Sequence, residues 1–248
     1  MHSAITQRFV FNASALAGSA PQVLIDPSSL TEADGAAIAN VSNLGALGGA
    51  FTQGTGSAQP TMRRNYAGTN NHAIDFDSGD SLARTGGASS VFGASGAASW
   101  TVCSVIDLDG LAAGAGQTYQ DAPVLIDSGG FAGLTLRDNS GTPQVQAYRW
   151  SAAVARATMG GLSTRQIVSV TYTHGTTTST ARRGLNARTS VSGAFSAGLG
   201  ADLHIGAYAG TTNRLDGKLL WLGAWSSALT NNQEEALIGG LLRKFGAA

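Results

Sequence analysis

Residues able to do chemistry are few in this chain, and the carboxylates come closest to a pattern. Asp75-Phe76-Asp77-Ser78-Gly79-Asp80 sets three acids around a turn, an oxygen cluster of the kind calcium takes. Asp75, Asp77 and Asp80 are therefore candidate ligands for calcium, the one cofactor these residues suggest. The segment lacks the EF-hand spacing and its closing Glu. Asp107 and Asp109 alternate on one strand face, where a pair could act as acid and base. Their place at a strand end predicts solvated charge instead. The three Glu are Glu32, near a turn, and Glu234 and Glu235, in the first turn of a helix, where acids complement the dipole. His2, His72, His174 and His204 are scattered without metal-ligand spacing. No G-x-S-x-G elbow occurs, and GLAAGAGQTYQ lacks the G-K-[ST] ending of a phosphate loop. The expectation is a protein that is not an enzyme.

Aromatic side chains offer binding in place of catalysis. Tyr148 and Trp150 share a face near a strand end and are the candidate glycan-stacking pair, with core packing the other reading, since aromatics gain most through burial. Trp221 and Trp225 also share a face, on an apolar strand that predicts core. The net charge is zero, against the basic excess of a phosphate-neutralising nucleic-acid binder. Arg63-Arg64 and Arg182-Arg183 read as solvated turns. Cys103 is the single cysteine, in an apolar strand, so it is expected as an inert core thiol. No run approaches the roughly 18 apolar residues of a membrane span. MHSAITQRFVFNAS lacks the charged and apolar regions of a secretory signal.

The elements that must position these groups are strands. The chain holds 34 Gly and short β-branched runs between Gly, Ser, Asn and Asp, which favours a many-turned sandwich. Strands are predicted at 7–12, 22–26, 72–77, 80–84, 99–109, 123–127, 131–137, 144–150, 166–174, 178–183, 201–207 and 218–225. A tight Ser78-Gly79 turn joins the third and fourth, and Asp138 to Gly141 turns a hairpin. Residues 31–59 read as an ordered loop with one short strand. Ser99 to Asp109 carries apolar groups on both faces and reads as a central strand. One helix closes the chain. Thr230 and Gln233 form a capping box, and Leu237, Leu241 and Phe245 make a stripe expected to cover an open end. The fold class is all-β: a two-sheet antiparallel jelly roll with one short C-terminal helix, taken as one domain over 1–248.

The order of these segments resembles the laminin G-like, or concanavalin A-like, lectin-glucanase superfamily, in the form found in phage structural proteins. HAIDFDSGDSLA is similar to a hairpin of that family, and SWTVCSVIDLD to its central strand. LHIGAY, followed by NRLDGKLLWLGAWSSALTNNQEEALIGGLLRKFG, resembles its closing strands and helix. Leu220-Trp221 stands where the family commonly has an acid, and its Glu-x-Asp-x-Glu glucanase motif is absent. The resemblance implies a virion structural protein: a capsid decoration, head-fibre or tail-associated component, packed against other virion proteins, with a homo-oligomer expected. Charged residues are only 12%, about half the ~25% usual for soluble domains, which suits such packing or reflects no more than an Ala/Gly-rich genome. A carbohydrate-binding adhesin or receptor-binding module is the alternative, with surface glycans as partners, and a glucanase-like hydrolase the third reading. Neither nucleic acid nor membrane is expected as a partner. The expected location is the virion.

Overall fold

The computed structural model describes residues 12–77, 79–94, 98–111, 121–130, 132–149, 154–193, 198–207 and 214–246. Two antiparallel sheets of eight strands each pack face to face. The first runs β14 (Thr189–Ser192), β13 (Thr178–Arg183), β12 (Gln166–Thr173), β7 (Trp100–Leu111), β16 (Leu215–Trp225), β5 (Ala73–Phe76) and β4 (Thr61–Arg63), with β1 (Val23–Ile25) also on β16. The second runs β11 (Arg156–Thr158), β10 (Thr142–Arg149), β9 (Ala132–Asn139), β8 (Asp121–Asp127), β15 (Asp202–Ile205), β6 (Leu82–Gly87), β3 (Ala50–Thr52) and β2 (Asn40–Ser42). Residues 31–59 thus hold two short strands, β2 and β3, where one was expected.

β7 is central, as its sequence predicts. It pairs with β12 on one side and β16 on the other. Trp100, Val102, Ile106 and Leu108 enter the core between the sheets with Phe51, Phe76, Leu134 and Ile205. Cys103 and Val105, on the opposite face, enter a second core with Trp221, Trp225 and helix α3 (Asn231–Phe245). The Cys103 thiol is held well above its usual pKa, by burial first and then by the charge of Glu234.

α3 begins at the expected capping box. Thr230 N–H donates to Gln233 Oε1 at 2.9 Å, and Gln233 N–H donates to Thr230 Oγ1 at 3.3 Å. Its stripe of Leu237, Ile238, Leu241 and Phe245 does not close an end of the sandwich. It lies across the outer face of the first sheet, because Trp221, Trp225, Val105 and Ile167 make that face apolar. Two five-residue helices escaped the sequence pattern, α1 (Ala13–Ala17) and α2 (Ala88–Phe92). Neither is long enough to show a helical period. Residues 7–11 of the first expected strand lie outside the described residues, and Asn12 caps α1 by accepting Ala15 N–H at 3.1 Å.

Charge beneath α3 also departs from expectation. Arg182 is 3% exposed, not a residue of a solvated turn. It sits on the outer face of β13, since its neighbour Ala181 faces the inter-sheet core. Its Nη1 lies 3.3 Å from Glu234 Oε2, and its Nη2 donates to Glu235 Oε1 at 2.9 Å. Arg188 Nε donates to Glu234 Oε2 at 2.5 Å. Glu234, whose expected role was to complement the helix dipole, is fully buried in this network.

The connection from β5 to β6 is a corner between sheets, not a hairpin, and Ser78 of the expected turn lies outside the described residues. β5 belongs to the first sheet and β6 to the second. Phe76 and Leu82 both enter the one inter-sheet core from opposite sides. Alternation alone cannot separate such a corner from a hairpin, because both place apolar groups at the same parity. By contrast, β9 and β10 do form the expected hairpin. Ser140 and Gly141 both have positive φ, at 54° and 85°, as the type I′ turn requires. No helix among the described residues is long and apolar enough to cross a membrane.

Candidate functional site

The corner between β5 and β6 positions the three candidate acids, and each is held differently. Asp75, on β5, accepts Arg63 Nε of β4 at 2.7 Å and lies 3.6 Å from Lys218 Nζ of β16. Asp77 accepts Gly79 N–H at 2.6 Å through Oδ1. Asp80 accepts Asp77 N–H at 2.9 Å through Oδ2. Arg214 Nη1 caps the corner from outside by donating to Gly79 O at 2.5 Å. Burial pushes the Asp80 carboxyl up to about 6, helped by the charges of Asp77 and Asp75 and opposed by the Asp77 N–H and Arg214. Among the described residues, no group of three or more His, Cys, Asp or Glu is placed to hold a metal ion. The three acids instead line a cleft of about 340 Å³ together with Gln59, Thr61 and Arg63. Gly206 packs closely against Phe76 and Asp80 of the corner. A Cβ there would stand 2.6 Å from the Phe76 ring and 3.1 Å from Asp80 O, and the φ of +85° also favours glycine.

Asp107 and Asp109 share the outer face of β7 but are not left to solvent together. Asp107 is 6% exposed and accepts the Tyr66 hydroxyl at 2.8 Å. The expectation of a solvated strand end fails there because Tyr66 folds back over the sheet. Burial, and then the Asp107 hydrogen bond, pushes the Tyr66 hydroxyl above its usual pKa. Asp109 is paired with Lys218. Burial draws the Lys218 ammonium down, but Asp109 and Asp75 outweigh it and raise its pKa. Each acid therefore has a structural partner on Oδ2, while Asp107 Oδ1 is buried without one among the described residues.

The second sheet carries the aromatic candidate. Ala147 and Val145 of β10 face the core, so Tyr148 and Gln146 project from the outer face. Tyr148 is half-buried and stands opposite Gly133 of β9. The row continues through Ile126 of β8 and His204 of β15. Gly133 can carry no side chain, since a Cβ would lie 2.1 Å from Leu125 O. Beside Tyr148, Gln146 Nε2 donates to Thr135 Oγ1 at 2.9 Å, and Arg156 Nε donates to Gln146 Oε1 at 3.0 Å. α1 and α3 pack on the first sheet, and α2 turns Val91 and Phe92 into the inter-sheet core. Burial lowers the pKa of His204, against the charges of Asp202 and Asp127. Trp150, the second predicted stacking residue, lies outside the described residues.

The structure does not bring the two predicted groups into one site. Tyr148 belongs to the second sheet's outer face, and Asp75, Asp77 and Asp80 to the corner cleft. Arg63, Gln59 and Thr61 were missed as cleft residues. The opposite charges of Arg63 and Asp75 were a signal, but only the β4–β5 pairing makes them neighbours.

No family model matches the chain, and no curated protein matches it. Solved structures do. The binding domain of Paraclostridial Mosquitocidal Protein 1 aligns with a TM-score of 0.58 at 10% identity, over 92% of this chain and 53% of that one. A structure of botulinum neurotoxin type C, whose cell entry is described as dependent on two ganglioside molecules, aligns at 0.55 and 8%, over 93% and 53%. Domain 4 of AbnA, a GH43 extracellular arabinanase from Geobacillus stearothermophilus, solved with arabinotriose, aligns at 0.51 and 12%, over 75% and 82%. The chain spans about half the length of the toxin structures it matches. At these identities the likeness is one of fold: a two-sheet antiparallel β-sandwich.

Proposed function

We propose that this protein is a non-catalytic carbohydrate-binding module that engages glycans on the outer face of its second sheet. The observation that carries this reading is the outward Tyr148, beside the one position in its row where backbone crowding excludes a side chain. The half-buried Tyr148 ring offers a stacking surface, and the exposed Arg156, held by the buried Gln146 and Thr135, offers a polar group on the same face. Aromatic platforms with a few placed polar groups are the usual makings of a small-ligand site. The arabinotriose complex and the ganglioside-dependent toxin support the reading, since both set glycan binding on the same sandwich fold. The partners of Asp107, Asp109, Glu234 and Glu235 support the absence of catalysis.

A glycan array with the folded protein tests the proposal. Tyr148→Ala is expected to weaken the strongest hit about tenfold, equivalent to ~1.4 kcal/mol of ring contact. Trp150→Ala is the matching variant two residues on. A flat array with intact protein refutes the proposal.

Within this function, the finer reading is a virion component. Low charge and the resemblance to phage structural proteins support it, and it would set the module on a particle as a homo-oligomer among other virion proteins. Cosedimentation with particles from the same genome is the expected result, and a monomer that never copurifies with particles counts against it.

A further inference from the structure

We infer that α3 is a hinged cover: it opens from the first sheet while the sandwich stays folded, and a group attached to Cys103 in the open state keeps it open. This goes beyond the glycan-binding reading and does not depend on it. The two apolar cores separate the motions. The inter-sheet core holds no residue of α3. Leu237, Ile238, Leu241 and Phe245 all enter the outer core, with Cys103, Val105, Trp221 and Trp225. Opening α3 therefore breaks the second core and leaves the first whole, which is the condition for a local unfolding unit.

The hinge lies at the start of the helix. Thr101 Oγ1, on β7, accepts Leu229 N–H at 2.9 Å and donates to Ser227 O at 3.0 Å. That pins the chain to the sheet just before α3, so the helix swings from Thr230. The interior of α3 is weak. Gly239 and Gly240 adjoin within it, and glycine inside a helix is destabilising relative to alanine. Packing does not require glycine at the first of them. A Cβ on Gly239 would meet nothing closer than Arg243 Nη1, at 3.6 Å.

Polar contacts under α3 do not offset this weakness. Arg182 and Glu234 lose water together when the helix docks and regain it together when the helix opens. The pair therefore holds α3 only weakly, although losing one partner alone is costly. Three polar atoms in or beside the interface are buried without a partner among the described residues: Glu234 Oε1, Ser169 Oγ and Arg165 Nε. Ser169 stands opposite Cys103 in the β7–β12 register, and Arg165 donates through Nη1 to Phe245 O. Each orphaned atom regains water on opening, so each favours the open state. Against them stand the apolar stripe and the Lys244–Asp26 pair at 2.7 Å.

Cys103 is the single cysteine of the chain and is fully buried with the helix stripe. Its thiol therefore reports opening directly. In the open state the thiolate attacks the disulfide of dithiobisnitrobenzoate. One S–S bond breaks, a mixed disulfide on Cys103 forms and one thionitrobenzoate leaves, so no separate oxidant is consumed. The adduct is larger than the thiol it replaces, and overpacking blocks the return of α3.

Labelling of the whole protein with this reagent in rising urea, below the unfolding transition, tests the inference. The rate is expected to show a shallower urea slope than global unfolding, since less surface is exposed. Gly239→Ala is expected to slow labelling ~4-fold. Leu241→Ala is expected to speed it ~30-fold or more. Ile205→Val, in the inter-sheet core, is expected to raise the unfolded fraction ~2–10-fold and leave labelling unchanged. The labelled protein should keep the far-UV signal of the sheets and a cooperative melt, with its near-UV aromatic signal altered. No labelling below the transition overturns the inference, as does labelling with the global slope. So does labelling that Ile205→Val accelerates in step with the unfolded fraction. A labelled protein without a cooperative melt overturns it too, because the sandwich would then not survive the opening of α3. An unaltered near-UV signal does the same, because the helix would then have closed over the adduct.

Discussion

Glu234→Ala is the sharpest test of how the closing helix is held. The Glu234 side chain is 1% exposed and that of Arg182 is 4% exposed. Removing the carboxylate leaves the Arg182 guanidinium buried against the sheet. Its remaining partners are neutral, Asn186 O at 2.7 Å and Asn231 Oδ1 at 3.3 Å, apart from Glu235, which is 43% exposed and screened by water. Arg188, at 21% exposure, can turn to solvent, but Arg182 cannot. Breaking a buried pair from one side costs ~3–5 kcal/mol, mostly as the uncompensated charge. In a chain of this size ~1 kcal/mol moves the melting temperature about 2–4 °C, so a fall of roughly 6–20 °C is expected. Urea unfolding followed by far-UV circular dichroism measures it. Glu235→Ala serves as the control and should shift the midpoint far less, because its carboxylate sits at the rim. The double variant Glu234→Leu with Arg182→Met should recover much of the loss, since apolar residues of similar volume replace such pairs well. A Glu234→Ala loss below ~1 kcal/mol, typical of surface pairs, would refute the account and mean that water reaches Arg182.

Two further outcomes follow from the same geometry. Thr230→Ala removes the helix cap and should cost ~1 kcal/mol in urea unfolding, while Thr230→Ser should cost little. The Asp80 carboxyl is raised in the folded state to about 6 from 3.8, chiefly by burial, so folding favours its protonated form. Its contribution to stability is complete below about pH 4 and is lost as pH rises through about 6. Asp80→Asn should therefore flatten the stability profile between those values, and an unchanged slope in a pH series of melts would contradict the burial of Asp80.

Legibility in the sequence followed the range of the interaction. α3 was readable because its cap, stripe and terminal cations lie within one segment. β7 was readable because both of its faces are apolar at the period of a strand. The β9–β10 turn was readable from Asp138, Ser140 and Gly141 alone. The corner between β5 and β6 was not, because Phe76 and Leu82 carry the same alternation whether the chain folds back or crosses between sheets. Arg182 and Glu234 lie 52 residues apart, so nothing local marked either as buried. The stacking candidates were half legible. Parity put Tyr148 and Trp150 on one face and Trp221 and Trp225 on another, but which side of its sheet each face takes is decided by the packing: Val145 and Ala147 turn Tyr148 outward, and α3 makes a core of the Trp pair. The cleft was invisible because it forms where the β4 and β5 segments meet the corner, and no spacing within either segment reports it.

The two sheets divide the labour of the molecule, and the division follows from where the helix lies. The outer face of the first sheet is covered twice over. Trp221 and Trp225 meet α3, and flanking charges are tied into pairs: Arg182 with Glu234 on one side, Lys218 with Asp109 and Asp75 on the other. Groups so engaged cannot turn to a ligand without losing a partner in a poorly hydrated setting, and that loss costs more than a surface contact returns. Substitutions on this face should therefore register first as stability. The outer face of the second sheet carries the half-buried Tyr148, whose ring belongs to neither apolar core. Substitution there should register first as binding, at nearly unchanged melting temperature. A Tyr148→Ala protein that unfolds as readily as Glu234→Ala would break this division, because it would make the outward ring a part of the core.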